Sequence, residues 1–408
     1  MSSPASQTYE VAGVRQPRPF RIRRLGHFQY FARNMSASLD FYTRLLGFQI
    51  TDRVDFSQRM TSDAMRARAG DPNIYFMRFG SDHHAFILSS PVLLEVIHGA
   101  PPDSEPVIGQ ITWQVGSLRE VSDAHDWFKA RGQRILRSGR DTPGSNWHAY
   151  FPDPDALPNE LYYGIEQIGW DGRSKPMGMH GAGHRVLPAL PYKPEYQEIA
   201  EAEAKKIDLG SGVVSLETMP GVFDVDGIML PRPFKIVGIG PVRLFVENVR
   251  QSLAFYQGEL GLRLTETVLF DGHPCHFLRA NTEHHAIALY PAALRERLGL
   301  DGNSSAFSFG VRLHGYRQLV KAIGFLRKNG IEIRYMPPEL SPGMNYTAFA
   351  VDPNGRLIQL YCDMEQVGWD GNPRPAEIRL PIDNSNWPQT LEPNEDTFCG
   401  EPFLGPWA

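Results

Sequence analysis

The chain has 408 residues, 42% of them hydrophobic, which suits two or three globular domains with ordinary cores. A formal net charge of −5 supplies no basic surface field and argues against nucleic acid as a partner. Three scattered cysteines (Cys275, Cys362, Cys399) are too few for a disulfide framework or a thiolate metal cage. No apolar run of roughly 18 residues exists to span a membrane, and the N-terminus lacks a signal-peptide pattern, so a reduced cytoplasmic setting is expected.

In chain order, residues 1–12 read as an N-terminal arm. A strand over Gly26–Arg33 leads to an amphipathic helix capped by Asn34 or Ser36, with Leu39, Tyr42, Leu45 and Leu46 at helical spacing and Gly47 as its stop. Strands follow at Gln49–Val54, Ile74–Phe79 and Ala85–Ser89. The order restarts with strand Ile111–Val115 and helix Leu118–Arg131 ending at Gly132, then strands Arg134–Leu136, His148–Phe151 and Glu160–Gly164. Each module is therefore β-α-β-β-β twice over, and such half-units curl around a concave cavity suited to a small ligand.

The whole pattern occurs twice. Pro17-Arg-Pro-Phe20 returns as Pro231-Arg-Pro-Phe234, and the same offset of 214 (231 − 17) carries Phe41-Tyr42 onto Phe255-Tyr256 and Leu46-Gly47 onto Leu260-Gly261. His83-His84-Ala85 matches His284-His285-Ala286, Asp153-Pro154 matches Asp352-Pro353, and the Glu166–Gly172 stretch matches Glu365–Gly371. The modules run over 13–173 and 227–372. Between them, 174–226 is a polar connector with a helical patch at Glu195–Lys206. The Pro-, Asn- and Trp-containing remainder, 373–408, reads as an extended arm packing on a module or on a partner subunit.

One stretch carries the chemistry. Tyr150-Phe151 enters a turn at Asp153-Pro154, which Asp153 and its counterpart Asp352 suit as turn residues, and the returning strand delivers Glu160 among Asn159, Leu161 and Tyr162. A carboxylate in such an apolar setting needs a partner. A divalent metal supplies one, with His27 as the upstream second ligand. A single strand histidine is ordinarily a hydrogen-bonded structural residue; its pairing with Glu160 at matching places in the two half-units favours metal.

On Gly26-His27, Phe41-Tyr42, Leu46-Gly47-Phe48, His83-His84-Ala85 and Tyr150 to Glu160, the chain resembles the vicinal oxygen chelate superfamily, and within it the two-module type I extradiol ring-cleaving dioxygenases. The resemblance implies an α+β fold of four βαβββ units in two tandem modules. It implies Fe(II), with Mn, Zn, Ni or Co as alternatives, held by His27, Glu160 and a third ligand. It also implies His84 as a proton-handling residue, Tyr150 as a substrate-facing phenol, a small aromatic substrate with O2, and a homo-oligomer. Two departures stand out. Gln110 occupies the place of the second metal histidine, with Gln114 on the same strand face as the runner-up. Asp141 replaces another substrate-side histidine.

The second module keeps less. Pro241 stands for His27, Ser308 for Gln110, Gln359 for Glu160 and Phe349 for Tyr150, while His285 alone persists. No metal is expected there, and the active site is expected in the first module. Besides ring cleavage, a metal-dependent isomerase or lyase of the glyoxalase type fits Gln110 and Asp141, and a metal-free protein that binds small aromatics fits the second module.

Overall fold

The computed structural model describes residues 7–101, 107–180, 184–300, 304–379 and 382–391. Eight strands form the first sheet: β1 Ile22–Phe31, β2 Gln49–Asp55, β3 Asn73–Arg78, β4 Phe86–Ser89, β5 Ile108–Val115, β6 Arg137–Gly139, β7 Trp147–Pro152 and β8 Pro158–Tyr163. Their order is β2-β3-β4-β1-β5-β8-β7-β6. The opening strands of the two half-units, β1 and β5, pair antiparallel at the centre. Each half-unit returns its last strand parallel to its first, β4 beside β1 and β8 beside β5. A second eight-stranded sheet, built on Ile236–Val246 and Ala306–Leu313, repeats this order. The fold is α+β, four βαβββ units in two tandem modules.

Period-two alternation decides which side of each strand meets which environment. Phe28, Tyr30, Ile111, Trp113, Ala149, Phe151 and Leu161 fall on the face that joins the hydrophobic core. The intervening His27, Gln110, Thr112, His148, Tyr150 and Glu160 are polar yet also buried. Polar residues on a face hidden from water must satisfy one another or a ligand.

Local signals explain the helices. The Asn34 side chain accepts from Ala37 N at 3.1 Å and caps Met35–Leu39, which widens into a π-helical turn over Asp40–Leu45. Ser117 caps Leu118–Ala130 in the same way, and Val121, Ala124 and Phe128 form its buried stripe. The strand expected at Arg134–Leu136 begins later, at Arg137. Its position is set by the ladder to β7, where Arg137 faces Tyr150, and not by the apolar pair Ile135-Leu136. Helices at Asp63–Ala69 and Val92–His98 were not anticipated from the sequence; the second brings Leu93, Leu94 and Ile97 over the cavity. The connector helix spans Glu195–Ala204. Small hairpins, Tyr9–Val11 with Val14–Gln16 and Phe223–Val225 with Ile228–Leu230, straddle the starts of the two modules. Among the described residues no helix is long and apolar enough to cross a membrane.

The modules grip each other through exchanged pairs. The Tyr42 hydroxyl donates to Asp352 at 2.9 Å, and its repeat counterpart Tyr256 donates to Asp153 at 2.9 Å. These aspartates also hold their own turns, Asp153 accepting from the Asp155 and Leu157 amides. The recurring Pro-Arg-Pro-Phe motif acts likewise: Arg18 donates to the Gly258 carbonyl and Arg232 to the Arg44 carbonyl. Gly47 is required here, because a Cβ would sit 2.7 Å from the Arg232 guanidinium and φ is +99°. Phe28 and Phe309 stack at 4.7 Å across the junction. The C-terminal arm packs on the second module of its own chain, Trp387 against Tyr316, Tyr335 and Tyr346; residues 392–408 of that arm lie outside the described residues.

Candidate metal centre and active cavity

Register places the polar positions of five strands in one row. His27 of β1 lies opposite Thr112 of β5, and Thr112 opposite Glu160 of β8. Glu160 faces Tyr150 of β7, and Tyr150 faces Arg137 of β6. Gln110 precedes Thr112 by two residues and so shares its face. Gly26 lets the tip of this row close, since a Cβ there would stand 2.1 Å from the Tyr162 ring.

Three donor groups converge. His27 Nε2 is 3.1 Å from Glu160 Oε2, and the Gln110 amide nitrogen is 3.1 Å from the first and 3.0 Å from the second. Ligand atoms bonded at about 2.1 Å and at right angles to one another lie about 3.0 Å apart. This triangle therefore has the dimensions of one face of an octahedral metal site. Turning the Gln110 amide over presents its oxygen in place of its nitrogen. Among the described residues no third His, Cys, Asp or Glu comes within ligand reach of His27 and Glu160, and the Gln110 amide is the third group of the triangle. The residues present fit a divalent metal that accepts oxygen ligands.

Glu160 is fully buried, with Oε2 also accepting from Thr112 Oγ1 at 3.0 Å and Oε1 from Asn146 Nδ2 at 2.9 Å. Burial pushes its pKa up, but His27, His148 and Tyr150 outweigh that and hold it below the usual carboxylate value. The Tyr150 phenol is pushed well above 10 by burial and by the neighbouring Glu160 charge, so it stays a hydrogen-bond donor. The Arg137 guanidinium lies over the Tyr150 ring at 4.4 Å.

His84 sits against His27, ring centroids 4.3 Å apart. Burial, and after it the neighbouring His27, His83 and His180, keep its pKa well below 6.5 and the ring neutral. Its Nδ1 meets His83 Nδ1 at 2.9 Å, and His83 Nε2 meets Asp52 Oδ2 at 2.8 Å. These groups open on a cavity of about 450 Å³ lined by His27, His84, Gln110, Tyr150 and an apolar wall that includes Ile74 and Phe76.

Of the five site residues expected from the sequence, His27, Gln110, His84 and Tyr150 border one cavity, and Glu160 lies buried behind it against His27 and Gln110. Gln114 does not border it: Arg24 holds its amide oxygen at 2.5 Å. Asp141 lies 3.3 Å from His148, and His148 Nδ1 lies 3.9 Å from Glu160 Oε1. An imidazole thus stands between Asp141 and the carboxylate, contributed by a neighbouring strand. Thr112, Asn146, His148 and Arg137 went unrecognised in the sequence. Thr112 and His148 had one readable signal, their two-residue spacing from Gln110 and Tyr150.

In the second module a guanidinium fills the corresponding place. Arg243 is fully buried and donates to Ser341 Oγ at 2.9 Å, and its Nη2 is 3.5 Å from His285 Nε2. Gln359, the counterpart of Glu160, donates to Thr347 Oγ1 at 2.7 Å.

Fold and site define a duplicated βαβββ protein with one polar cavity whose donors suit a divalent metal. The chain belongs to the glyoxalase/bleomycin resistance protein/dioxygenase superfamily, whose family model matches residues 24–161 and 238–360. It is similar to metapyrocatechase 2 of Cupriavidus necator, 29% identical over 175 residues, covering 43% of this chain and 46% of that protein. The match thus spans less than half of that relative's length. In fold it is similar to the Mn(II)-bound glyoxalase of Novosphingobium aromaticivorans, with TM-score 0.53 and 18% identity over 86% of this chain and 85% of that one. It is likewise similar to the 2,3-dioxygenase LapB of Pseudomonas sp. KL28, with TM-score 0.55 and 16% identity over 87% and 96%.

Proposed function

We propose that the first module is a ring-cleaving dioxygenase of the extradiol type, acting on a catechol or related dihydroxylated aromatic with O2, with Fe(II) held by His27, Glu160 and Gln110. The observation that carries this reading is the 3.0–3.1 Å triangle of those three groups at the floor of a cavity walled by His84 and Tyr150. Bound there, Fe(II) would supply Lewis acidity and one-electron chemistry, with open positions for two vicinal oxygens and for O2. The similarity to metapyrocatechase 2 supports the same reaction class.

The protein's own groups have separate tasks. Phe31, Ile74, Phe76, Ile87, Leu94 and Ile97 receive the aromatic ring and exclude water. Neutral His84 accepts a proton from a substrate hydroxyl. Tyr150 keeps its proton and donates a hydrogen bond to a substrate oxygen, with Arg137 behind its ring. Asn146 and Thr112 fix the carboxylate of Glu160. Self-association into a homo-oligomer belongs to the same reading and is checked by light scattering on the full chain.

The test is oxygen uptake and a yellow, visible-absorbing product when anaerobically purified, Fe(II)-loaded protein meets a panel of catechols. No uptake across the panel rejects the reaction. The oxygen ligand offered by Gln110 favours one second reading, a metal-dependent isomerase or lyase of the glyoxalase type. Turnover that continues without O2 on Mn, Zn, Ni or Co would select it.

A further inference from the structure

The region beneath His84 is built twice, and the copies differ at one decisive position. Asp52 and Glu266 stand 214 residues apart, the offset of the repeat (266 − 52). Asp52 meets His83 Nε2 at 2.8 Å, and His83 Nδ1 meets His84 Nδ1 at 2.9 Å. Glu266 meets His284 Nε2 at 3.0 Å, and His284 Nδ1 meets His285 Nδ1 at 3.0 Å. In the second module a third group completes the set. Arg379 bonds both oxygens of Glu266, at 2.9 and 2.7 Å, and lies 3.8 Å from Glu365. The offset of 199 that relates Glu166 to Glu365 puts His180 at the place of Arg379.

That exchange leaves the first copy short of positive charge. In the second module Glu365 has Arg374 at 3.8 Å besides Arg379. In the first, the Lys175 ammonium turns away to Glu195 at 2.5 Å. Asp52 and Glu166 are buried and, among the described residues, neither is paired with an arginine or lysine side chain. Glu166 Oε2 and His180 Nε2 are both buried without a hydrogen-bond partner. Asp52 has the His83 ring and Glu166 the Lys175 amide at 2.6 Å, but a buried carboxylate oxygen and a buried imidazole nitrogen left without partners beside them are costly unless a cation joins them.

We propose that a divalent transition metal of the zinc type occupies this place in the first module, bound by Asp52 Oδ2, His83 Nε2 and His180 Nε2. It takes the role that the Arg379 guanidinium has in the second module. The three ligand atoms lie within 4.8 Å of one another, with Asp52 to His83 at 2.8 Å and Asp52 to His180 at 3.8 Å. Tetrahedral ligands at 2.0–2.1 Å are spaced about 3.3 Å apart, so modest side-chain rotation closes the set. Glu166 is a further buried acid with a spare oxygen, Oε2. The ion would staple the connector, through His180, to β2 and to the loop that carries His84. This site is separate from the His27 and Glu160 set and does not depend on the reaction proposed there.

The test uses the full-length protein carrying His27→Ala and Glu160→Gln, so that the other site is removed. The metal-stripped protein is titrated with ZnCl2 against a chromophoric chelator. One equivalent of zinc should bind. Adding His180→Arg, which copies the second module, should weaken binding roughly 100-fold and leave the thermal midpoint of the metal-stripped protein in place; if that variant does not fold, His180→Ala serves for the same comparison. A parent that takes up no zinc, or a His180 variant that binds it equally well, overturns the proposal.

Discussion

Replacing Glu160 by Gln separates the electrostatic role of the carboxylate from its packing role. In the metal-free protein the change is close to neutral. Four donors (His27, Gln110, Thr112 and Asn146) meet the carboxylate at 2.9–3.1 Å. Converting four charge-assisted hydrogen bonds to neutral ones loses about 1 kcal/mol each. Relief of a buried charge offsets this by several kcal/mol, and Asn146 Oδ1, which has no partner, is free to accept the new amide N–H. Metal binding responds differently. At 100 times its Kd a metal stabilises the fold by about 2.7 kcal/mol, and a ligand loss worth about 100-fold leaves only about 0.4 kcal/mol. At roughly 2 °C per kcal/mol for a chain of this size, a shift of about 5 °C on adding Fe(II) or Mn(II) should fall below about 1 °C. The assay is thermal unfolding with and without metal, in the His180→Arg background so that the second site is silent. An undiminished shift in the Gln variant would refute the assignment of Glu160 as a ligand.

Gln110→His should tighten binding of Fe(II) or Zn(II) by roughly tenfold or more, as imidazole replaces an amide, measured by chelator competition. Asp141 is pushed up by burial, but His148, Arg137 and Arg185 bring it down to about 2, below its unfolded value of 3.8. It therefore stabilises the fold by about 2 kcal/mol above pH 4, a contribution lost as the pH falls through about 2. Asp141→Asn should flatten that acid limb in urea midpoints recorded against pH. Tyr42→Phe and Tyr256→Phe should each cost about 1.5–3 kcal/mol, because each removes one hydrogen bond to a buried aspartate across the module junction; denaturant unfolding measures it. Arg243→Met should leave stability unchanged or raise it by about 1–2 kcal/mol, since among the described residues no carboxylate pairs with that buried guanidinium. A clear loss in the urea midpoint would contradict this.

Much of the first module's site was legible because β-strands alternate with period two. His27, Gln110 and Tyr150 each fall between apolar or glycine neighbours and Glu160 precedes the apolar Leu161, and their replacement by Pro241, Ser308, Phe349 and Gln359 in the second module set them apart from residues the fold itself requires. His83-His84 was less readable, because the pair persists in the second module. The contacts there explain why: each pair is anchored by an acid on a neighbouring strand, Asp52 or Glu266, in both modules. The strand expected at Arg134–Leu136 shows the limit of pattern reading. Two apolar residues marked a strand, but the ladder to Tyr150 set its position.

By itself the sequence determined the duplication, the four βαβββ units and the column of polar residues that had to face inward. These follow from local periodicity and from comparing one half of the chain with the other. Tertiary structure alone decided that Gln110, and not Gln114, completes the triangle, because strand register and the Arg24 contact choose between residues on the same face. It also decided that Asp153 and Asp352 hold the partner module as well as their own turns, and that His180 comes to Asp52 from the connector. Those pairings join residues 103, 310 and 128 positions apart (256 − 153, 352 − 42, 180 − 52). No local periodicity encodes such distances; they exist only once the sheets have curled and packed.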